Sequence, residues 1–130
     1  MPTIVHFEIP ADDLDRARKF YGELFGWKIE NVGNPSGKAD GDYLMVSTTN
    51  DKGEPGVGGG LMKRKGAFHM PTNYIGVPNA EEAAKKVEEL GGKIVMGKTA
   101  VPGMGYFICC LDTENNPISL WEDAKEAKSD

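Results

Sequence analysis

The chain has 130 residues, 39% of them hydrophobic and 27% charged, the proportions of one ordinary folded domain. Its formal charge of -5 argues against general attraction to a nucleic-acid backbone or an anionic membrane surface. No apolar stretch reaches the length of a membrane helix, so neither nucleic acid nor membrane is an expected partner.

The opening run Thr3 to Ile9 is β-rich, carries Glu8, and does not resemble a secretion signal; Pro10 is expected to stop it. Asp12 or Asp13 then caps a helix to about Phe25, with Leu14, Ala17, Phe20, Tyr21 and Leu24 on its apolar face. Gly26 ends that helix and Trp27 to Val32 begins a second strand. A Gly-, Asn- and Asp-rich loop fills residues 33–42, Tyr43 to Thr49 supplies a third strand, and a turn at Asn50–Gly53 leads to a Gly-rich fourth strand over Gly56 to Met62.

The same order then recurs. Thr72 to Val77 is a strand, Asn79 to Leu90 a helix, and Gly91–Gly92 its stop before a strand at Lys93 to Met96. The stretch Val101 to Phe107 reads as a mobile turn beside a strand. Tyr106 to Leu111 and Pro117 to Trp121, joined by the turn Asp112 to Asn116, complete the set. Sliding the chain by 66 positions lays Asp13 on Asn79, Ala17 on Ala83, Leu24 on Leu90 and Gly26 on Gly92. Matching apolar faces and stop signals point to a duplication. The expected fold class is α+β: two tandem βαβββ modules, residues 1–62 and 72–123, joined by a linker at 63–71. They form a curved mixed sheet around a cleft, as one 1–130 domain.

Strand parity names the candidate site. On the first strand His6 and Glu8 share one face, while Val5, Phe7 and Ile9 take the other and suit packing beneath the helices. On the fifth strand the matching face carries Thr72 and Tyr74, and on the last it carries Ser119 and Trp121, with Ile118 and Leu120 turned to the core. His6 is the candidate general acid–base because its ordinary pKa lies nearest neutrality, with Glu8 beside it to orient it or accept a ligand amine. Trp121, Tyr74 and Tyr106 are candidate aromatic walls, and Thr72 and Ser119 candidate hydrogen-bond donors to a small organic ligand. Gly56–Gly60 lacks the Lys-Ser/Thr of a phosphate loop, and Asn50–Glu54 has too few carboxylates for a calcium loop. Cys109 and Cys110 are adjacent and a strand points them to opposite faces, which argues against a bond between them; they offer no metal motif and suggest a reducing, cytoplasmic compartment.

The string from His6 to Trp27, together with Asn79 to Gly92, Gly105–Phe107 and Asp112 to Glu122, resembles the vicinal oxygen chelate superfamily. That is the family of glyoxalase I, bleomycin-resistance proteins and extradiol dioxygenases. The resemblance implies the βαβββ duplication and, in metal-using relatives, one ligand from the first and one from the last strand of each half. Of those four positions His6 alone carries a strong donor: Thr72 is its counterpart in the second half, Gly58–Gly60 falls at the last strand of the first half, and Ser119 stands where a Glu is usual. Glu122 lies an odd number of residues beyond Ser119 and belongs on the opposite face, while His69 precedes the fifth strand and would reach the site only through a register shift. No metal and no cofactor is therefore expected. The resemblance implies a small-organic-molecule-binding protein, as a homodimer. The alternatives are a metal-dependent lyase or isomerase acting on a small oxygenated metabolite, and a regulatory or structural homodimer with a filled cleft.

Overall fold

A computed structural model describes residues 2–31 and 43–128. The expected loop at 33–42 and the end of the expected second strand lie outside the described residues. The elements run β1 (Ile4–Ala11), α1 (Leu14–Phe25), β2 (Lys28–Glu30), β3 (Tyr43–Ser47), β4 (Gly58–Lys63), β5 (Thr72–Gly76), α2 (Ala80–Glu89), β6 (Lys93–Val101), β7 (Gly105–Leu111) and β8 (Pro117–Asp123).

The chain divides into two compact units. One runs from His6 to Pro71; the other joins the residues up to Val5 to those from Thr72 onward. In the first unit the strand order is β2-β3-β4-β1, with β1 parallel to β4 and the other pairs antiparallel. In the second it is β6-β7-β8-β5, with β5 parallel to β8 and the rest antiparallel. Each unit is thus a βαβββ module in which the first strand pairs with the last, and the two share one topology. The expected α+β duplication is what the chain adopts.

The helices begin where the sequence marks them. Asp13 caps α1 by accepting from Arg16 N–H at 3.0 Å, and Asn79 caps α2 by accepting from Glu82 N–H at 2.9 Å. Gly26 closes α1 in the left-handed conformation at φ 72°. In α2 that role falls to Gly91 at φ 98°, one residue before the register mate of Gly26.

The N-terminal core gathers Ala11, Ile29, Leu44, Val46 and Leu61, with Phe7, Ile9, Leu14, Ala17, Tyr21 and Trp27 packed against it. Trp27 stacks on Tyr21 at a centroid distance of 5.1 Å and 9° between planes, fastening α1 to the strand layer. Phe20 and Leu24, expected on the buried face of α1, are instead exposed, because only the Leu14, Ala17 and Tyr21 stripe meets the sheet. Val5 also differs: it is largely exposed, beside Gly76. The C-terminal core is Ala80, Ile108, Cys110 and Leu120, covered by Val77, Ala83, Ala84, Val87, Ile94 and Ile118.

Three boundaries depart from expectation. Pro10 does not stop β1, which continues through Ala11 beside Met62 and Lys63. Ala11 O accepts from Arg64 N–H, so the polar backbone groups of Ala11 face the β4 side and the missing N–H of Pro10 faces away from it. Strand β6 extends to Val101 rather than ending at Met96, with register shifts after Ile94 and Met96. The expected mobile turn is a hairpin tip: Met104 N–H donates to Val101 O, and Gly103 takes φ 77°. From the far side Gly103 N–H donates to Ala127 O, and Ala124 N–H to Met104 O.

Candidate functional site

In the first unit β1 turns Phe7 and Ile9 to the helix and His6 and Glu8 to the opposite face. Because β1 and β4 are parallel and in register, His6 lies opposite Gly58 and Glu8 opposite Gly60, each pair on one face. Beyond β4 lies β3, whose first residue is Tyr43. Its ring crosses β4 at Gly60 and its hydroxyl reaches both residues of β1. The Tyr43 hydroxyl donates to Glu8 Oε2 at 2.9 Å, and His6 Nε2 lies 2.8 Å from the same oxygen.

The proton inventory fixes the direction of this chain. A phenol has one proton to give. Tyr43 gives it to Glu8, so it accepts from His6, which carries its proton on Nε2. Burial lowers the His6 pKa below the ordinary histidine value, against a smaller opposing pull from Glu8. Burial thus favours the neutral imidazole, and two hydrogen bonds link it through the Tyr43 hydroxyl to the Glu8 side chain.

Gly60 makes the crossing possible. A Cβ at that position would collide with the Tyr43 ring carbon Cζ and its hydroxyl. Its neighbour Gly59 serves the other face, where a Cβ would meet the Phe7 ring at 2.5 Å. Two adjacent glycines thus lie under two aromatic rings on opposite sides of one strand. Tyr43 was not among the residues singled out by sequence, since its partners are separated from it by 35 and 37 positions. The available signal was the run Gly58–Gly60: glycine is a poor strand former, and three together mark a close approach.

The second unit repeats the frame with different side chains. Tyr74 stands opposite Ser119, as Glu8 stands opposite Gly60. Ser119 is 1% exposed, and its hydroxyl donates to Cys109 Sγ at 3.6 Å. Tyr74, also buried, meets Phe107 edge-on at 6.1 Å. Trp121 pairs with Phe107, lies over Gly105, and donates from Nε1 to Asp123 at 2.7 Å. Thr72 is half-buried at the start of β5. Tyr74, Ser119, Trp121, Phe107 and Cys109 therefore belong to one face.

Tyr106 does not share it. Odd-numbered side chains of β7 face Ser119 and Trp121, so Tyr106 turns with Ile108 and Cys110 toward α2. There its ring carries Lys98 Nζ at 4.2 Å, and Lys98 is paired with Glu81 of α2 at 2.8 Å. Glu122 takes the same side, and its carboxylate accepts from Ala80 N–H at 2.8 Å at the start of α2. His69 is engaged in the segment after β4: its Nδ1 accepts from Lys65 N–H, and its carbonyl accepts from Arg64.

The paired βαβββ modules, with the His6–Tyr43–Glu8 face on the first of them, are the frame that the comparisons with known proteins match. Residues 3–48 match the bleomycin resistance protein-like N-terminal family. A glyoxylase-like domain-containing protein of Didymella fabae is 30% identical over 125 residues, covering 87% of this chain and 88% of that one. The anthracycline biosynthesis protein DnrV of Streptomyces peucetius is 24% identical over 126 residues, and the match takes in 88% of this chain but 45% of that protein. The chain thus spans less than half of the Streptomyces relative. Among solved structures, methylmalonyl-CoA epimerase of Mycobacterium tuberculosis has a TM-score of 0.61 at 15% identity, over 93% of this chain and 87% of that one. A methylmalonyl-CoA epimerase bound to methylmalonyl-CoA and ammonium gives a TM-score of 0.64 at 14% identity, over 97% of each. The chain belongs to the glyoxalase/bleomycin-resistance group, the vicinal oxygen chelate superfamily.

Metal-using members of that superfamily imply a divalent cation, and the residues here do not fit one. Position 60 contributes no side chain, and the space above it is filled by a phenol already donating to Glu8. The equivalent position in the second unit is a serine sealed against a thiol. Among the described residues no three His, Cys, Asp or Glu side chains gather where a metal ion could be held. A protein zinc site needs three or four such donors.

Proposed function

We propose that the chain binds a small, oxygenated organic molecule on the face of β1 and β4 that carries His6, Tyr43 and Glu8, without a metal. The observation that carries this reading is the position of the Tyr43 hydroxyl, bridging His6 and Glu8 across Gly60. A half-buried carboxylate, phenol and imidazole offer both acceptors and donors to a polar ligand group. Taken by itself, the second unit carries Thr72, Tyr74 and Trp121 on its own face, and these are proposed as contacts for a small ligand there, whereas Ser119 and Tyr106 are proposed in structural roles, sealed against Cys109 and stacked under Lys98. The relatives include a methylmalonyl-CoA epimerase and an anthracycline biosynthesis protein, which suggests these two compound types as first probes.

A second reading, a lyase or isomerase, is favoured by the same chain of hydrogen bonds. An imidazole and a carboxylate joined through a phenol form a path along which a proton can pass to or from a bound carbonyl compound. The protein is further proposed to act in the cytoplasm as a homodimer, the latter in keeping with the exposed apolar side chains Phe20, Leu24 and Phe25 of α1. Among the described residues no helix is long and apolar enough to cross a membrane.

The test is calorimetric titration with methylmalonyl-CoA and with an anthracycline, in the presence of a chelator. Saturable binding of either that is lost in Glu8→Gln supports the proposal. Binding that requires added metal, or is indifferent to Glu8→Gln and His6→Ala, refutes it. Turnover of the bound probe separates the enzyme from the binder.

A further inference from the structure

The crossing of Tyr43 over Gly60 bears on what the face accepts as well as on how it is built. Position 60 is the place on β4 directly opposite Glu8 and two residues from the partner of His6, on the same face as both. A carboxylate or imidazole there would complete a three-donor set with His6 and Glu8, the minimum for a tightly held divalent ion. The Tyr43 ring and any side chain at position 60 exclude each other, because a Cβ there already meets Tyr43 Cζ and its hydroxyl. The phenol is no substitute donor, because its proton is committed to Glu8.

We propose that Tyr43 and Gly60 act together as the specificity-determining pair of this face, with the phenol standing where a third cation donor would project. The face then admits a hydrogen-bonding organic group and rejects divalent cations. Relieving the pair converts the face into a cation site. The proposal rests on reading this face as the ligand site. Organic-ligand binding by the unaltered protein and cation binding by the variants are measured separately, so either reading can fail without the other.

The probes are Co²⁺, followed by its visible absorption, and Zn²⁺, followed by calorimetry. They are applied to the unaltered chain, to Tyr43→Ala, and to the double variant Tyr43→Ala/Gly60→Glu. The unaltered chain is expected to show no saturable site. The double variant is expected to bind one equivalent saturably, the gain due to a third protein donor. Adding His6→Ala to the double variant is expected to abolish that site. One equivalent bound tightly by the unaltered chain overturns the proposal. So does a double variant that keeps the parent far-ultraviolet dichroism and melting profile but binds no better than the parent. If that variant does not fold, Tyr43→Ala/Gly60→Asp, with its shorter side chain, is read by the same criteria. A Tyr43→Ala variant that binds as tightly as the double variant also overturns the proposal, since position 60 would then be irrelevant.

Discussion

Tyr43 lies over Gly60 in the space a Cβ would need, so each residue is the condition for the other. Without a bare strand position the phenol would not reach Glu8 and His6. With the phenol removed, the glycine would leave a gap in a buried stretch of β4.

That dependence predicts strong coupling. Gly60→Ala alone is expected to cost about 1–3 kcal/mol, the usual range for forcing a side chain into a filled space. The same change in a Tyr43→Ala background should cost far less. Chemical denaturation of the four proteins in a double-mutant cycle measures the difference, and equal costs in both backgrounds would contradict the packing described above.

Titration of His6 gives a second check. Its folded pKa lies below the ordinary value of 6.5 because burial penalises the charged ring. Between the folded pKa and 6.5 the unfolded chain binds more protons, so His6 contributes stability that is present above 6.5 and lost as the pH falls through its folded pKa. NMR titration should find the His6 ring midpoint below the histidine reference value. A His6→Gln variant should lose part of the acid-side slope of stability against pH. A midpoint at or above the reference value would mean that the ring is not desolvated.

Glu122 tests the parity argument in the second unit. Its carboxylate accepts from Ala80 N–H at the first turn of α2, next to the Asn79 cap. Glu122→Ala is expected to destabilise the protein by about 0.5–2 kcal/mol, the range seen for lost helix caps. Amide exchange should quicken at Ala80 before it quickens in β8. If ligand binding fell while stability held, Glu122 would belong to the site face instead.

The two cysteines should differ sharply in reactivity. Cys110 is 2% exposed, and burial pushes its thiol up to about 11, with Cys109 adding to the effect. Cys109 is half-buried on the other face, where it accepts from Ser119. Iodoacetamide at pH 8 is expected to label Cys109 and leave Cys110 intact until the protein unfolds, as read by peptide mass mapping. Equal labelling in the native state would place Cys110 outside the core.

Much of this frame is legible from local signals. Asp13 and Asn79 occupy equivalent positions of the repeat and cap their helices in the same way, because short polar side chains satisfy the first free N–H groups wherever the flanking pattern allows. Alternation on β1 separates Phe7 from His6 correctly, since one buried layer fixes the register. Pro10 misled because its effect depends on which side of the strand its missing N–H faces, a property of the neighbour and not of the residue. Phe20 and Leu24 misled because helical periodicity marks an apolar face without saying how wide the covering layer is. Tyr43 was invisible for a related reason: its role requires knowing that β4 lies between β3 and β1 and that Gly60 sits at the crossing.

The hairpin tip at Val101–Met104 is stapled from outside by the segment after β8, through Gly103 to Ala127 and Ala124 to Met104, with both alanines buried. A protease cut between Ala124 and Ala127 would therefore act at a distance in sequence, freeing a loop more than twenty positions upstream. The closing stretch of the described chain is a clasp, and a fusion partner attached inside it would pry open the β6–β7 corner rather than trail from it.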